Sequence, residues 1–261
     1  MAGNIFSSLI AEQRIYQICD KDTFKKITSP ILEVPSPHLQ NLNLPIDEND
    51  GVIIGSGAIG SYKLLLISQD GSFYGGSVGE IHGAKIKGIL DYALINHPDA
   101  VIFVIDSGGV RLQEANAGLV ALSEVMKSLL NLRYVSIPVI AIIPGKIGAF
   151  GGMGILARLC TRIIMTKHAK MGLSGPEVIE TLKGIEEFNS QNKDIVYETV
   201  GAIQRYEIGE IDIICDDRLD SVRYEIIKAI TELKDNPVLL HEEIFTEHIL
   251  LKERINKIKN E

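Results

Sequence analysis

"AVIFVIDSGGVRLQEANAGLVALSEVMKSLL", residues 100–130, holds a strand, a glycine turn and a helix in succession. AVIFVID stays apolar until Asp106. Such a run reads as a strand buried on both faces, as in the interior of a parallel sheet. Ser107, Gly108 and Gly109 end it, and from Arg111 onward Ala and Leu recur on one side of a helical repeat. The same order returns downstream. PVIAIIP (138–144) is a second buried strand, PGKIGAFGGMG (144–154) a second glycine turn, and residues 151–159 a second helix.

Working outward, residues 80–96 read as a helix that Pro98 ends, and residues 51–79 as a β-meander with glycine turns. Residues 161–173, TRIIMTKHAKMGL, read as paired short strands, and a helix starts near Pro176. Strands alternating with helices over about residues 50–185 imply crossover units covered by helices. Before this part, residues 7–27 read as a helix, and residues 28–50, with Pro30, Pro35, Pro37 and Pro45, as an extended connector. After it, residues 186–261 are charged and mostly helical. The expectation is a single α/β domain over 1–261 with a helical C-terminal cap.

Composition narrows the function. The 261 residues carry a net charge of −8, few aromatics and no Trp. That argues against a nucleic-acid partner, which calls for basic patches and stacking platforms. Pro138, Pro144 and the glycines interrupt the apolar stretches, so no membrane span is expected. The N-terminus turns charged too early for a signal peptide. Cys19, Cys160 and Cys215 are too scattered for a zinc site or a disulfide framework, so reduced thiols in a cytoplasmic chain and no metal are expected.

Several motifs carry less than they suggest. GSGAIG (55–60) has dinucleotide-loop spacing, but the strand-like SYKLLLISQ follows it where a helix is required, so it reads as a hairpin turn. His241 and His248 are seven apart, not four, and read as helix surface. Neither Ser107 nor Ser174 lies in a Gly-x-Ser-x-Gly elbow. His82, in the glycine-flanked helix GEIHGAKI, reads at least as well as a structural hydrogen-bonding residue as a catalytic one.

The two glycine turns remain. Each places backbone N–H groups at a helix start, where negative charge is favoured. Turns from adjacent parallel strands can converge into an oxyanion hole, which needs no nucleophilic side chain. Gly108, Gly109, Gly151 and Gly152 are the candidate donors, with Ser107 beside the first pair. Arg111 and Glu114, three apart, share a helical face and are expected to orient the turn through a salt bridge. A direct role for Arg111 in gripping a substrate carboxylate ranks lower.

Three segments add a resemblance. GGSVGEIHGAKIKGILDYA (75–93), DSGGVRLQEA (106–115) and GAFGGMG (148–154) resemble the motifs of the carboxyltransferase branch of the crotonase superfamily. Within it, GVRLQEANAG (109–118), GLSGPEVIET (172–181) and GIEEFNSQNK (184–193) most resemble the β subunits of biotin-independent malonate decarboxylases. RIYQICDKDTFKKI (14–27) and SPHLQNLNLPIDENDGVIIGSGAIG (36–60) fit the same subunits. The chain shows no four-cysteine zinc ribbon of the kind bacterial acetyl-CoA carboxylase β subunits carry.

The resemblance implies a crotonase-like (ClpP/crotonase) spiral of ββα units. It implies an active site shared with a homologous γ subunit, together with an acyl-transferring α subunit and a small acyl-carrier subunit. The chain itself would bind no cofactor. A CoA-derived prosthetic group of the carrier would deliver malonyl thioester, and decarboxylation would leave acetyl thioester and CO2. A biotin-dependent malonate decarboxylase or acyl-CoA carboxylase transferase stands as the alternative. A hydratase would need carboxylates near the second turn, and residues 155–165 have none.

Overall fold

The computed structural model describes residues 5–27 and 34–259. The chain enters through a 3-10 turn (Phe6–Ser8), helix α1 (Ala11–Ile18) and strand β1 (Lys25–Lys26). Helix α2 (Pro37–Asn41) precedes a hairpin, β2 (Val52–Ile59) and β3 (Tyr62–Gln69). Helix α3 (Glu80–Asn96), β4 (Ala100–Val104), α4 (Asn116–Tyr134) and β5 (Val139–Ile143) follow. Next come β6 (Ala149–Phe150), α5 (Gly152–Leu159), β7 (Arg162–Thr166), β8 (Met171–Gly172) and α6 (Pro176–Lys183). Helices α7 (Lys193–Val200) and α8 (Ala202–Glu207), β9 (Ile213–Cys215), α9 (Leu219–Asp235) and α10 (Leu240–Lys259) complete the described chain.

The main sheet runs β1-β2-β3-β4-β5-β7-β9. Its first two pairings are antiparallel, and from β3 onward every pairing is parallel. The inner strands are apolar on both sides because both sides are covered. Val101 and Phe103 of β4 pack with Ile86 and Leu90 of α3 and Leu122, Val125 and Leu129 of α4. Ile102 and Val104 pack with Ile15 and Ile18 of α1 and Val222, Ile226 and Ile230 of α9. All four β4 side chains are fully buried, and each such burial contributes about 1.5–3 kcal/mol before entropy is set against it. GSGAIG lies in β2 and its turn to β3, where Ile59 pairs with Tyr62.

Three expectations are corrected. The helix expected over 7–27 stops at Ile18, and Asp22 takes φ 62°. Lys25 and Lys26 then pair with Ser56 and Gly55, so this stretch closes the sheet edge. Residues 161–173 do not pair with each other. Arg162–Thr166 lies between β5 and β9, whereas Met171–Gly172 pairs in parallel with Ala149–Phe150 in a separate two-stranded sheet. Ile163, Ile164 and Met165 need cover on both faces, which a solvent-facing hairpin lacks. The connector read as extended over 28–50 holds a helix, Pro37–Asn41, which Ser36 caps, and its first part, with Pro30, lies outside the described residues. The charged C-terminal part is mostly helical as expected, with one short strand, Ile213–Cys215. No helix among the described residues is long and apolar enough to cross a membrane.

All three cysteines are buried and free. Burial raises the Cys19 thiol to about 11 and the Cys160 and Cys215 thiols to about 12. Thiolate is the reactive form, so a thiol reagent at pH 8 is expected to label none of them in the folded chain and all three in denaturant. Stoichiometric labelling of the folded chain overturns this placement.

Candidate active site

Strands β4 and β5 are neighbours, so the turns that leave their C-terminal ends emerge side by side. A short ladder joins them. Ser107 N–H donates to Gly148 O at 2.7 Å, and Phe150 N–H donates to Ser107 O at 3.0 Å. Beyond the ladder the backbones touch. A Cβ on Gly109 would lie 3.1 Å from Phe150 O, 3.4 Å from Gly151 Cα and 3.7 Å from Gly152 N. Gly109 has φ 120° and Gly151 φ 57°, conformations that an L side chain resists. The expected convergence of the two turns is therefore present.

The donors are distributed differently from the expectation. Gly108 N–H is engaged by Gly75 O at 2.9 Å and Gly151 N–H by Leu173 O at 3.0 Å. Gly109 N–H reaches Ser107 Oγ at 3.2 Å. These three glycines give the turns their shape rather than a free donor. Gly152, the first residue of α5, has no acceptor for its N–H among the described residues, as the first turn of a helix permits. Val110 is the second such group. Its neighbours bond Val78 through Gly109 O and Arg111 N, so Val110 N–H points to the other side and is likewise without an acceptor among the described residues. Residue types carry no signal for a main-chain donor, and Val110 escaped the sequence reading for that reason.

Arg111, Glu114 and His82 lie beneath the turns. The Arg111 guanidinium is fully buried, paired with Asp50 Oδ1 at 2.7 Å and Glu114 Oε1 at 2.8 Å. It lies over the rings of Phe73 and Tyr74, 5.2 and 5.5 Å from their centroids. It therefore has no face for a substrate carboxylate and anchors the first turn. Glu114 also accepts from Ser36 Oγ at 2.9 Å and from Glu80 N–H, at the start of α3, at 2.7 Å. Burial pushes its carboxyl upward, and these donors with Arg111 more than offset that, leaving it below its ordinary value. Burial leaves Asp50 above its own despite Arg111.

His82 is fully buried. Its Nδ1 faces Asp50 O at 2.8 Å, and its Nε2 faces Gln69 Nε2 at 3.0 Å. A carbonyl only accepts, so Nδ1 carries the proton and Nε2 receives one from Gln69. Burial, with Arg111 nearby, holds the ring down to about 3. It is a neutral link in the scaffold, sealed from the cleft.

Ser36, Asp50, Gln69 and Asp106 belong to the same assembly, and the sequence reading missed their part in it. On the segments that follow the turns in sequence, the apolar side chains of Leu112, Leu119, Ile155, Leu173 and Leu182 are between 48% and 87% exposed.

The carboxyl transferase domain model matches residues 7–218. The chain belongs to the carboxyl transferase family. It is 38% identical, over 232 residues, to the malonyl-S-ACP:biotin-protein carboxyltransferase of Malonomonas rubra, covering 84% of this chain and 73% of that protein. A Pseudomonas malonate decarboxylase hetero-tetramer in complex with malonate contains a chain that superposes with TM-score 0.83 at 36% identity, covering 88% of this chain and 85% of that one. The Pseudomonas MdcD-MdcE hetero-dimer gives 0.73 at 32%, covering 94% and 96%. The crotonase-like α/β fold that the motifs implied is the fold of this carboxyltransferase.

Proposed function

We propose that this carboxyltransferase is the β-type half of a malonate decarboxylase, acting on a malonyl thioester carried by an acyl-carrier subunit. The observation that carries the reading is the pair of N–H groups, Gly152 and Val110, that have no acceptor among the described residues and lie on two glycine turns in van der Waals contact. The similarity to malonate-handling carboxyltransferases supports malonyl as the acyl group.

The bond between the α-carbon and the carboxylate breaks, and CO2 leaves. The electron pair moves into the thioester as an enolate, whose oxygen takes the new charge. The two N–H groups hold that oxygen, each contributing about 3 kcal/mol to the barrier when well placed. Their charge complementarity grows only as the oxygen becomes negative, so they favour the transition state over the substrate. The α-carbon then takes a proton from water or from the partner half. Ser107, buried within the turn, braces Gly109. Arg111 and Glu114 fix the first turn from below.

The homologous γ subunit covers the apolar rim of Leu112, Leu119, Ile155, Leu173 and Leu182 and closes the cleft against water. An acyl-transferring α subunit and the carrier, with its CoA-derived arm, complete a soluble cytoplasmic complex. The Malonomonas relative's action on a biotin protein favours a second reading, in which CO2 passes to biotin on a further subunit.

The purified complex, given malonyl-loaded carrier, is expected to release CO2 and form acetyl thioester in equal amounts, unchanged by avidin. Loss of activity with avidin selects the biotin reading. Neither decarboxylation nor transfer overturns both.

A further inference from the structure

The second glycine turn is attached to the first by a side chain as well as by the ladder. Asp106, the residue before Ser107, is fully buried at the end of β4. Its Oδ1 accepts Ile147 N–H at 2.7 Å and Gly148 N–H at 3.2 Å, both from the turn after β5. Its Oδ2 meets Arg14 of α1 at 2.9 Å, and Arg14 is itself 1% exposed and donates to Ser7 O. A Cβ on Gly71 would lie 3.1 Å from Asp106 Oδ2 and 2.7 Å from Ile147 Cγ1. The carboxylate has no room to swing.

Asp106 is also an end of the buried polar chain under the first turn. Its N–H donates to Gln69 Oε1 at 3.3 Å, Gln69 donates to His82, and His82 donates to Asp50 O. From Asp50 the chain passes through Arg111 to Glu114. One network therefore reaches both turns, and among the described residues of that network only Asp106 bonds across to the second turn by its side chain.

We infer that Asp106 is a positioning residue. Its carboxylate, held by Arg14, sets the turn at 147–152 against the turn at 107–110, so that Gly152 N–H and Val110 N–H face the same oxygen. The inference rests on the malonyl-thioester reading above. A carboxylate accepts two N–H groups more strongly than a neutral side chain does, and loss of such an acceptor leaves buried N–H groups unsatisfied. The turn then drifts, and a misplacement of about 1 Å costs about 100-fold in rate.

Removing Asp106 alone strands the buried Arg14 charge and threatens the fold. The test therefore uses charge-free double variants in the assembled complex. Arg14→Met with Asp106→Asn keeps an acceptor at Oδ1, whereas Arg14→Met with Asp106→Leu lacks one. The asparagine variant is expected to keep kcat within about fivefold of wild type. The leucine variant is expected to fall about 10–100-fold below the asparagine variant, with KM for the loaded carrier within about twofold, because neither change reaches the rim. Should the leucine variant not assemble, Asp106→Ser in the same background, whose short hydroxyl reaches neither N–H, carries the same expectation. Equal kcat with and without the acceptor, or a loss confined to KM, overturns the inference. An inactive wild-type complex overturns the malonyl-thioester reading instead.

Discussion

Gly152→Pro is expected to lower kcat about 100- to 1000-fold, and Gly152→Ala no more than about tenfold. Both substitutions place a Cβ against Leu122 Cδ2, the tip of a flexible side chain, and proline adds its ring Cγ and Cδ. Only proline removes the N–H. Gly152 is the first residue of α5, where proline is favoured because the helix makes no use of that N–H. The preceding residue, Gly151, has φ 57° and ψ −135°, outside the α region that a following proline disfavours. The helix is therefore expected to survive, with thermal midpoints of the two variants within a few degrees. A proline variant as active as the alanine variant removes Gly152 from the oxyanion site and leaves the functional reading on Val110 alone.

That comparison isolates something the sequence announces only indirectly. Alternation of apolar runs with helical repeats made β4, α4, β5 and α5 legible, because strands covered on both faces must be apolar throughout. The glycine turns were legible for the same reason, since each interrupts such a run. Which amides stay free was not legible. Gly108 and Gly151 lose theirs to Gly75 O and Leu173 O, partners 33 and 22 residues away in sequence, and no residue type records that. The polar chain was hidden likewise. Arg14 reads as one charge among several in a surface helix, yet it meets Asp106 in the interior. Strand β9 was missed because three residues, Ile213–Cys215, give no period to count, and their strand character comes from the edge that β7 offers. Ala115, with φ 48° and ψ −126° at the start of α4, splits what reads as one continuous helix, and an alanine gives no warning of a left-handed backbone.

The buried chain also sets how the fold responds to acid. His82 is held down to about 3 in the folded chain against an ordinary value of 6.5. Between those values the unfolded chain binds a proton that the folded chain does not, so stability falls as pH falls. The full contribution is present above pH 6.5, and its loss runs at about 1.4 kcal/mol per pH unit below that. From pH 6.5 to 5 the expected loss is about 2 kcal/mol. Burial is the first cause, and the Arg111 and Lys85 charges beside the ring add to it, against the Asp50 carbonyl. Two neighbours titrate as well. Glu114, held low, also loses stability as pH falls, but below its ordinary 4.5 and so outside this window. Asp50, held high, works in the opposite direction, its stability falling as pH rises through its raised folded value. His82→Gln separates these terms, because a glutamine offers Asp50 O a donor and Gln69 an acceptor without titrating. Urea unfolding followed by circular dichroism is expected to give a wild-type slope between pH 5 and 6.5 that exceeds the variant's by about 1.4 kcal/mol per unit. Parallel slopes mean that His82 takes up its proton in the folded state. A ring that did so would have to meet solvent or a carboxylate, and the Gln69–His82–Asp50 link beneath the first turn would not stand.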